Sequence, residues 1–300
     1  MQQLLFIVSL LAPVTAIALP RPPSSQAALG YSDDLGRNKL MPMSAAAYTD
    51  DPSKCVANVF GVAHSEPPQQ VSVKCDFAGD TCSAFVTASH RDNAVIVAFR
   101  GTEGATQVLQ TFDGSNFEHE KFPGGGKVGE YYMQAFRDLW NGGLKDRYLA
   151  LRNKYPGYRL WVTGHNTGGS LASIFAATVV FQQLEKSENV LLVTFGQLRT
   201  GNKDYADAHD RLVTNSFRVV HKRDMIAHLP TLNWEGYYHH GQEIWYDNDM
   251  TLSDGDDFTQ CKQGESKDCS DGLWFSMSAT DNYHYYDRVI TKFGANGCQQ

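Results

Sequence analysis

The chain has 300 residues, of which 42% are hydrophobic and 12% aromatic, so it is long and apolar enough to bury a core without help from a metal. Its formal net charge is -7, and residues of both signs alternate along the sequence instead of forming a block. Because this pattern leaves no basic stripe for a polyanion, we expect no nucleic acid partner.

The first residues of the sequence indicate export. An apolar run over residues 4–11 is followed by small residues, and Ala16-Ile17-Ala18 has the spacing of a signal-peptidase site, although no Lys or Arg precedes the run. The run is also too short to span a bilayer. We therefore predict a secreted, extracellular protein with a signal peptide over 1–18, an N-terminal leader segment over 19–47 and a single domain over 48–300.

Six cysteines form an even set, which favours disulfides in an exported protein. Six cysteines allow 15 different pairings. Two pairs are close enough in sequence for local bridges, which leaves one long-range pair. Zinc is the alternative, but no C-x-x-C spacing occurs, so we expect no metal and no cofactor. The expected bridges are Cys55–Cys298, Cys75–Cys82 and Cys261–Cys269.

Strand and helix patterns alternate along the chain. Such alternation predicts an α/β fold with a mostly parallel central sheet and helices on both faces. In chain order we predict a hairpin over 71–74 and 83–87, a strand over 94–99, a helix over 129–155 interrupted at Gly142-Gly143, a strand over 158–163, a helix over 170–186, and strands over 189–195 and 217–221.

The turn Gly164-His165-Asn166-Thr167-Gly168 lies between a predicted strand and a predicted helix. This is the context of a nucleophile elbow, whose middle residue projects into the site beside a helix N-terminus suited to an oxyanion. Here the middle residue is Asn166, whose delocalised amide nitrogen cannot attack an ester. Asparagine does tolerate the positive φ of such a corner. Taken alone, the glycine spacing also fits an ordinary tight turn.

Several ordered motifs resemble those of the class 3 lipase family, α/β-hydrolases whose members cleave triacylglycerols and related esters. The resemblance covers about residues 48–298. It implies the α/β-hydrolase fold and the same three disulfide bridges. The motifs are VAFRGT at 97–102, VTGHNTGG at 162–169, TFGQ at 194–197 and VVHKRDMIAHLP at 219–230.

The resemblance also implies roles for single residues. Asn166 takes the nucleophile position, Asp224 becomes the triad acid and His284 the triad base, in the chain order of α/β-hydrolases. Thr102, through its N–H and hydroxyl, and the N–H of Thr167 become the oxyanion donors. Without the resemblance, His284 reads as a surface histidine and Asp224 as a turn cap.

A mobile lid over residues 105–117 is a further implication of the resemblance. Val108, Leu109 and Phe112 would form its apolar underside. A plain surface loop is the alternative. Other candidates give no site: His165, His221 and His228 fit packing or hydrogen bonding, and nothing in the spacing of His239-His240 demands a metal.

These observations predict a secreted lipase-like protein of lipid metabolism or lipid binding. Loss of a triad nucleophile costs roughly 10⁶ in rate, so we expect a pseudoenzyme with little or no hydrolysis. Its partner would be an acyl lipid or ester ligand, with peripheral contact to a lipid surface, and the sequence leaves the oligomeric state open. The alternative is an active carboxylic ester hydrolase in which His284 and Asp224 use water or a nearby hydroxyl.

Overall fold

One mixed sheet organises the chain in the computed structural model, which describes residues 29–75, 81–102, 118–232, 234–274 and 278–299. The strands are β1 (Gln69–Lys74), β2 (Thr81–Ser89), β3 (Ala94–Phe99), β4 (His119–Lys121), β5 (Lys127–Gly129), β6 (Arg159–His165), β7 (Val190–Phe195), β8 (Gly201–Asn202), β9 (Ser216–His221), β10 (Tyr237–Tyr238), β11 (Gln242–Tyr246), β12 (Thr259–Cys261), β13 (His284–Tyr285) and β14 (Arg288–Val289).

The main sheet has the strand order β1-β2-β3-β6-β7-β9-β11-β12. Its centre, from β3 to β11, is parallel, whereas β1, β2 and β12 pair antiparallel at the two edges. The parallel centre confirms the predicted sheet. Smaller sheets join β10-β8-β5-β4 and β13-β14.

Helices cover both faces of this sheet. The α-helices are α1 (Asp33–Leu35), α2 (Met41–Ala46), α3 (Ser53–Phe60), α4 (Glu130–Leu139), α5 (Lys145–Lys154), α6 (Thr167–Phe181), α7 (Lys203–Leu212), α8 (Ala279–Tyr283) and α9 (Ile290–Ala295). Short π-helices span Gly36–Leu40 and Trp140–Leu144, and 3₁₀-helices span Val62–His64, Ser187–Asn189, Ile226–His228 and Ser270–Gly272.

Strand β3 shows why the predicted strand at 94–99 is apolar without interruption. All six of its residues are buried, because alternate side chains enter two separate cores on opposite faces of the sheet. Val97 packs in the core beneath α4, α5 and α6, whereas Ile96 packs in the core beneath α2 and α9.

Two predicted helices differ from the observed ones at their bounds. The helix predicted over 129–155 is interrupted as expected, with Gly143 at φ 115° inside the π-helix. The helix predicted over 170–186 instead begins at Thr167 and ends at Phe181, because Asn166 caps its first turn through a side-chain hydrogen bond.

The segment before Tyr48 belongs to the folded domain, so the predicted domain start at residue 48 is too late. Met41, Met43 and Ala45 are fully buried in α2, which packs against β6 and α9. Asp33 and Arg37 form a buried ion pair with a 2.6 Å contact in the same segment. The apolar residues of α2 therefore complete one core of the sheet instead of forming a leader.

Three disulfides close the fold as predicted, joining Cys55 to Cys298, Cys75 to Cys82 and Cys261 to Cys269. The first ties α3 to the end of the chain behind α9. Within the described ranges, no helix combines the length and the apolar character that a membrane span requires.

Candidate functional site

A sharp corner between β6 and α6 carries Asn166. Its backbone has φ 57° and ψ -128°, a positive-φ conformation that few residues other than glycine adopt, and its side chain is fully buried. Gly164 and Gly168 permit this corner, since a Cβ on Gly164 would lie 2.2 Å from the carbonyl oxygen of Gly168. The strand, turn and helix of an elbow are therefore present, with Asn166 at the corner.

The side-chain oxygen of Asn166 is already engaged. Asn166 Oδ1 accepts a hydrogen bond of 2.6 Å from the backbone N–H of Thr167, the first residue of α6. That N–H is one of the predicted oxyanion donors, and the asparagine carboxamide occupies it. A substrate carbonyl can reach this N–H only if the Asn166 side chain moves away.

The side-chain nitrogen of Asn166 points to a second asparagine. Asn166 Nδ2 donates to Asn282 Oδ1 over 2.9 Å, and Asn282 Nδ2 donates in turn to Asp224 Oδ2 over 2.7 Å. The same nitrogen of Asn282 also lies 3.2 Å from the carbonyl oxygen of Gly196. All three side chains are fully buried. We call this connected set, Asn166, Asn282 and Asp224, the amide chain.

Asp224 ends the amide chain in the turn after β9. Its Oδ1 accepts hydrogen bonds from the backbone N–H groups of Ile226, at 2.8 Å, and Ala227, at 3.3 Å. The hydroxyl of Tyr285 reaches Oδ2 at 3.4 Å. Burial raises the pKa of Asp224 to about 7, against the opposite effect of the hydrogen bonds from Asn282, Ala227 and Ile226.

The structure does not bring His284 to Asp224, which corrects the predicted pairing. His284 Nδ1 donates a hydrogen bond of 2.9 Å to the carbonyl oxygen of Thr280, since a carbonyl can only accept. Helix α8 ends at Tyr283, and His284 lies in β13, where it is half-buried. The inward side chain of this segment is Asn282, which occupies the place between the elbow and the acid.

Neither carboxamide of the amide chain can relay a proton. The nitrogen of the Asn166 carboxamide is delocalised and is not a nucleophile. The carboxamide of Asn282 has the same electronic structure, so it lacks the basicity of an imidazole and cannot serve as a general base. The arrangement holds hydrogen bonds between positions 166 and 224 but moves no proton along them.

The two predicted oxyanion residues do lie together. Thr102 Oγ1 and Thr167 Oγ1 are 2.9 Å apart and share a hydrogen bond. The N-terminus of α6 sits close to the end of β3, where a Cβ on Gly168 would lie 2.5 Å from the carbonyl oxygen of Phe99. The fold therefore brings Thr102 beside the elbow, and its role as an oxyanion donor stays a prediction.

His165 fixes the segment that carries Asn282. Its Nε2 donates over 2.7 Å to the backbone carbonyl of Asn282, so Nδ1 accepts from the hydroxyl of Tyr48 at 2.6 Å. Burial lowers the pKa of His165 to about 4, which keeps the ring neutral. His221 and His228 likewise bond to backbone carbonyl groups, in keeping with the hydrogen-bonding roles expected of them.

The predicted lid cannot be compared with the structure, and one residue of the site was not predicted. The lid residues Val108, Leu109 and Phe112 lie outside the described residues. Sequence reasoning missed Asn282, because it sought a histidine near the end of the chain and chose His284. No local pattern marks Asn282, which lies two residues before that histidine, as the side chain that turns toward Asn166.

Comparisons with known proteins agree with this fold. The family described as Lipase (class 3) matches residues 96–234. Lipase ZK262.3 of Caenorhabditis elegans is 32% identical over 289 residues, covering 86% of this chain and 80% of that protein. Secreted mono- and diacylglycerol lipase 2 of Gibberella zeae is 27% identical, covering 61% of this chain and 52% of that protein.

Similarity to a solved structure shows the fold. It is that of a triacylglycerol lipase whose catalytic centre is a serine protease triad, and it superposes with a TM-score of 0.68 at 24% identity, covering 84% of this chain and 93% of that one. The predicted α/β-hydrolase fold is thereby confirmed. With the extent and identity of the Caenorhabditis elegans match, these findings show that the chain belongs to the class 3 lipase family.

Proposed function

We propose that this chain is an exported lipase-like protein that binds acyl lipids or esters without hydrolysing them. The amide chain carries the proposal. An asparagine stands at position 166, where acyl transfer needs a nucleophile, and another at position 282, between the elbow and Asp224, where it needs a base. The matched triacylglycerol lipase, by contrast, has a serine protease triad.

The hydrogen bond inside the elbow supports the same conclusion. Asn166 Oδ1 receives the Thr167 N–H at 2.6 Å, and Asn166 Nδ2 is held by Asn282 at 2.9 Å. The carboxamide therefore fills the oxyanion donor with its own oxygen. A bound ester would gain neither attack nor polarisation there, so the site favours retention of the ligand over turnover.

Direct activation of water by His284 and Asp224, the alternative, has less support. His284 is bonded to Thr280, and both oxygens of Asp224 already accept hydrogen bonds from the protein. The buried Asp224 carboxyl is also separated from the elbow by Asn282. Among the described residues, the side chain that Asn166 Nδ2 contacts is Asn282, whose carboxamide is not a base.

Export and a lipid partner complete the proposal. Three disulfides are typical of an oxidising compartment, and the Gibberella zeae relative carries the word secreted in its name. The family and fold support an acyl lipid or ester as the ligand, with peripheral contact to a lipid surface.

Two assays on the purified chain test the two halves of this proposal. In the first, the chain is incubated with p-nitrophenyl butyrate, with a triolein emulsion and with a fluorophosphonate probe that labels reactive serines. We expect no enzymatic release of product and no label. Turnover of either ester, with or without covalent labelling, would contradict the proposed loss of catalysis.

The second assay measures binding with a pyrene-labelled diacylglycerol analogue whose ether links cannot be hydrolysed. We expect saturable binding that unlabelled ether analogue displaces. A heat-denatured sample of the same chain serves as the control for adsorption. Absence of displaceable binding would remove the lipid ligand from the proposal and leave the catalytic half untouched.

A further inference from the structure

A second cluster of polar side chains lies at the amino ends of the parallel strands, whereas the elbow lies at their carboxyl ends. Asn166 follows the carboxyl end of β6, whereas this cluster lies where β9 and β11 begin, at Ser216 and Gln242. A cavity of about 390 Å³ opens there, with Asp210, Ser216 and Gly241 among its lining residues. Nothing in the proposed lipid function uses this place.

His209 is the unusual residue of the cluster. It lies in the last turn of α7, it is fully buried, and neither of its ring nitrogens has a hydrogen-bond partner among the described residues. Its Nδ1 is 3.9 Å from Asp210 Oδ1, which is too long for a hydrogen bond. A buried imidazole without partners is costly, and a bound ion would give one of its nitrogens the missing partner.

His240 stacks on His209, with ring centroids 3.6 Å apart and an angle of 30° between the rings. His240 Nε2 lies 2.8 Å from the side-chain amide of Gln197, and Nδ1 lies 3.4 Å from the hydroxyl of Ser216. One ligand atom each from His209, Asp210 and His240 lies within 4.8 Å of the others. Two imidazoles and a carboxylate thus converge beside the cavity.

We propose that His209, Asp210 and His240 bind a divalent transition metal ion of the zinc class. Imidazole nitrogen with one carboxylate suits Zn²⁺, whereas Ca²⁺ and Mg²⁺ prefer oxygen ligands throughout. Binding requires the stacked rings to turn, so that their lone pairs meet at a common point about 2.0–2.1 Å from each nitrogen. Water from the cavity completes the coordination.

The surroundings of His240 fit this assignment. If Nδ1 binds the ion, Nε2 carries the proton and needs an acceptor. Gln197 provides one when its amide is turned. The hydroxyl of Thr200, 3.0 Å away, then donates to the amide oxygen instead of to the carbonyl oxygen of Leu198, and the hydroxyl of Thr194, 2.7 Å away, accepts from the amide nitrogen.

Two cations oppose the ion. The exposed Lys262 lines the same cavity, where solvent screens its charge. The buried Arg218 donates from Nε to the carbonyl oxygen of His240 over 2.8 Å, and Glu243, 3.5 Å from its guanidinium, offsets part of its charge.

This assignment departs from the expectation of no metal that the spacing of His239-His240 suggests. In the fold, His239 and His228 instead bond to the backbone carbonyl groups of Ala227 and Asp224. The partners of His240 come from α7, which is distant in sequence, so no spacing motif announces the cluster.

Zinc titration of the purified full-length chain tests the assignment. The chain is first stripped with a chelator, then titrated with Zn²⁺ in a calorimeter, and separately with Co²⁺ while visible absorption is recorded. We expect one ion per chain and a Co²⁺ spectrum that Zn²⁺ abolishes. His209→Gln and His240→Gln should each weaken binding by at least about tenfold. His64→Gln, at an exposed histidine, is the matched control and should bind as the parent chain does.

Absence of zinc uptake by the parent chain would overturn the assignment, and so would unchanged affinity in both histidine variants. Asp210→Asn tests the assignment even if the histidine variants fail to fold. The side chain of Asp210 is 49% exposed, so we expect this variant to fold. If this variant keeps the parent fold by circular dichroism and the parent affinity for zinc, the assignment fails.

Discussion

Asn166 and Asn282 are joined side chain to side chain, with Nδ2 of the first 2.9 Å from Oδ1 of the second. Donors run in one direction along the amide chain, from Asn166 to Asn282 and from Asn282 to Asp224. In a serine hydrolase the same path carries a proton between a hydroxyl and an imidazole. The two asparagines hold hydrogen bonds along such a path, but neither carboxamide is a nucleophile or a base.

Removal of Asn282 should destabilise the fold. Asn282→Ala deprives Asp224 Oδ2, Asn166 Nδ2 and the Gly196 carbonyl of a buried partner. A buried polar group left unpaired costs about 1–3 kcal/mol, and we expect a loss of unfolding free energy in that range by urea denaturation. Asn38→Ala, at an exposed asparagine, is the control. Equal stability of both variants would mean that the amide chain contributes nothing to folding.

The raised pKa of Asp224 predicts a pH dependence of stability. Its folded pKa is about 7, against an ordinary value of 3.8, so the folded state holds this proton more tightly than the unfolded state does. The contribution of Asp224 to unfolding free energy is therefore largest near pH 4 and declines as the pH rises to about 7. Asp224→Asn does not titrate.

We accordingly expect the difference in unfolding free energy, parent minus Asp224→Asn, to fall between pH 4.5 and 7.5 and then to level off. Urea denaturation at unit steps of pH measures it. Other titrating groups, His165 among them, are common to both chains and cancel in the difference. Parallel pH profiles would show that Asp224 ionises in the fold as it does in water.

The close approach of backbone atoms at the elbow predicts that an added methyl group at Gly164 destabilises the fold. A Cβ on Gly164 would lie 2.2 Å from the carbonyl oxygen of Gly168, whereas a Cβ on Gly157 meets nothing within 4 Å. Gly164→Ala should lower unfolding free energy by about 1–3 kcal/mol or more, because backbone must move to admit the methyl group. Gly157→Ala is the matched control and should be near neutral. Similar melting temperatures for the two variants would contradict the close approach at the elbow.

The long-range disulfide should stabilise the chain more than the local ones. Cys55 and Cys298 are separated by 243 residues, whereas Cys75 and Cys82 are separated by 7. Loop-closure entropy predicts a loss of roughly 5 kcal/mol for the first bridge and about 2 kcal/mol for the second when both cysteines become serine. Denaturant unfolding of the two double variants gives the comparison. A larger loss from the local bridge would reverse this order.

Much of the sheet could be predicted, because the local pattern of apolar residues and glycines determines where its strands and turns lie. The apolar run at 94–99 had to be a strand buried on both faces, and the glycines around Asn166 had to form a tight turn before a helix. The segment with Met41 and Met43 was misassigned, since its burial depends on a sheet formed by residues far along the chain.

Only part of the candidate site could be predicted, because the rest depends on contacts between residues that are distant in sequence. Thr102 contacts Thr167 of the elbow, and Asp224 is linked to Asn166 through Asn282. The choice between His284 and Asn282 depends on where the short α8 ends, which sets which side chain turns inward, and no local pattern reveals that. The cluster of His209 with His240 likewise exists only through contact between α7 and the loop that joins β10 to β11.

Ester hydrolysis by variants with serine at position 166 and histidine at position 282 tests most directly the claim that the two asparagines prevent catalysis. The kcat/KM for p-nitrophenyl butyrate is measured for the parent, Asn166→Ser, Asn282→His and the double variant, with folding checked by circular dichroism. In a triad, loss of the serine or the histidine alone costs about as much as loss of all three members. We therefore predict that each single variant stays near the parent and that the double variant exceeds them by at least about 10³-fold, with labelling by a fluorophosphonate. A folded double variant without activity, or Asn166→Ser alone reaching the rate of the double variant, would contradict the account.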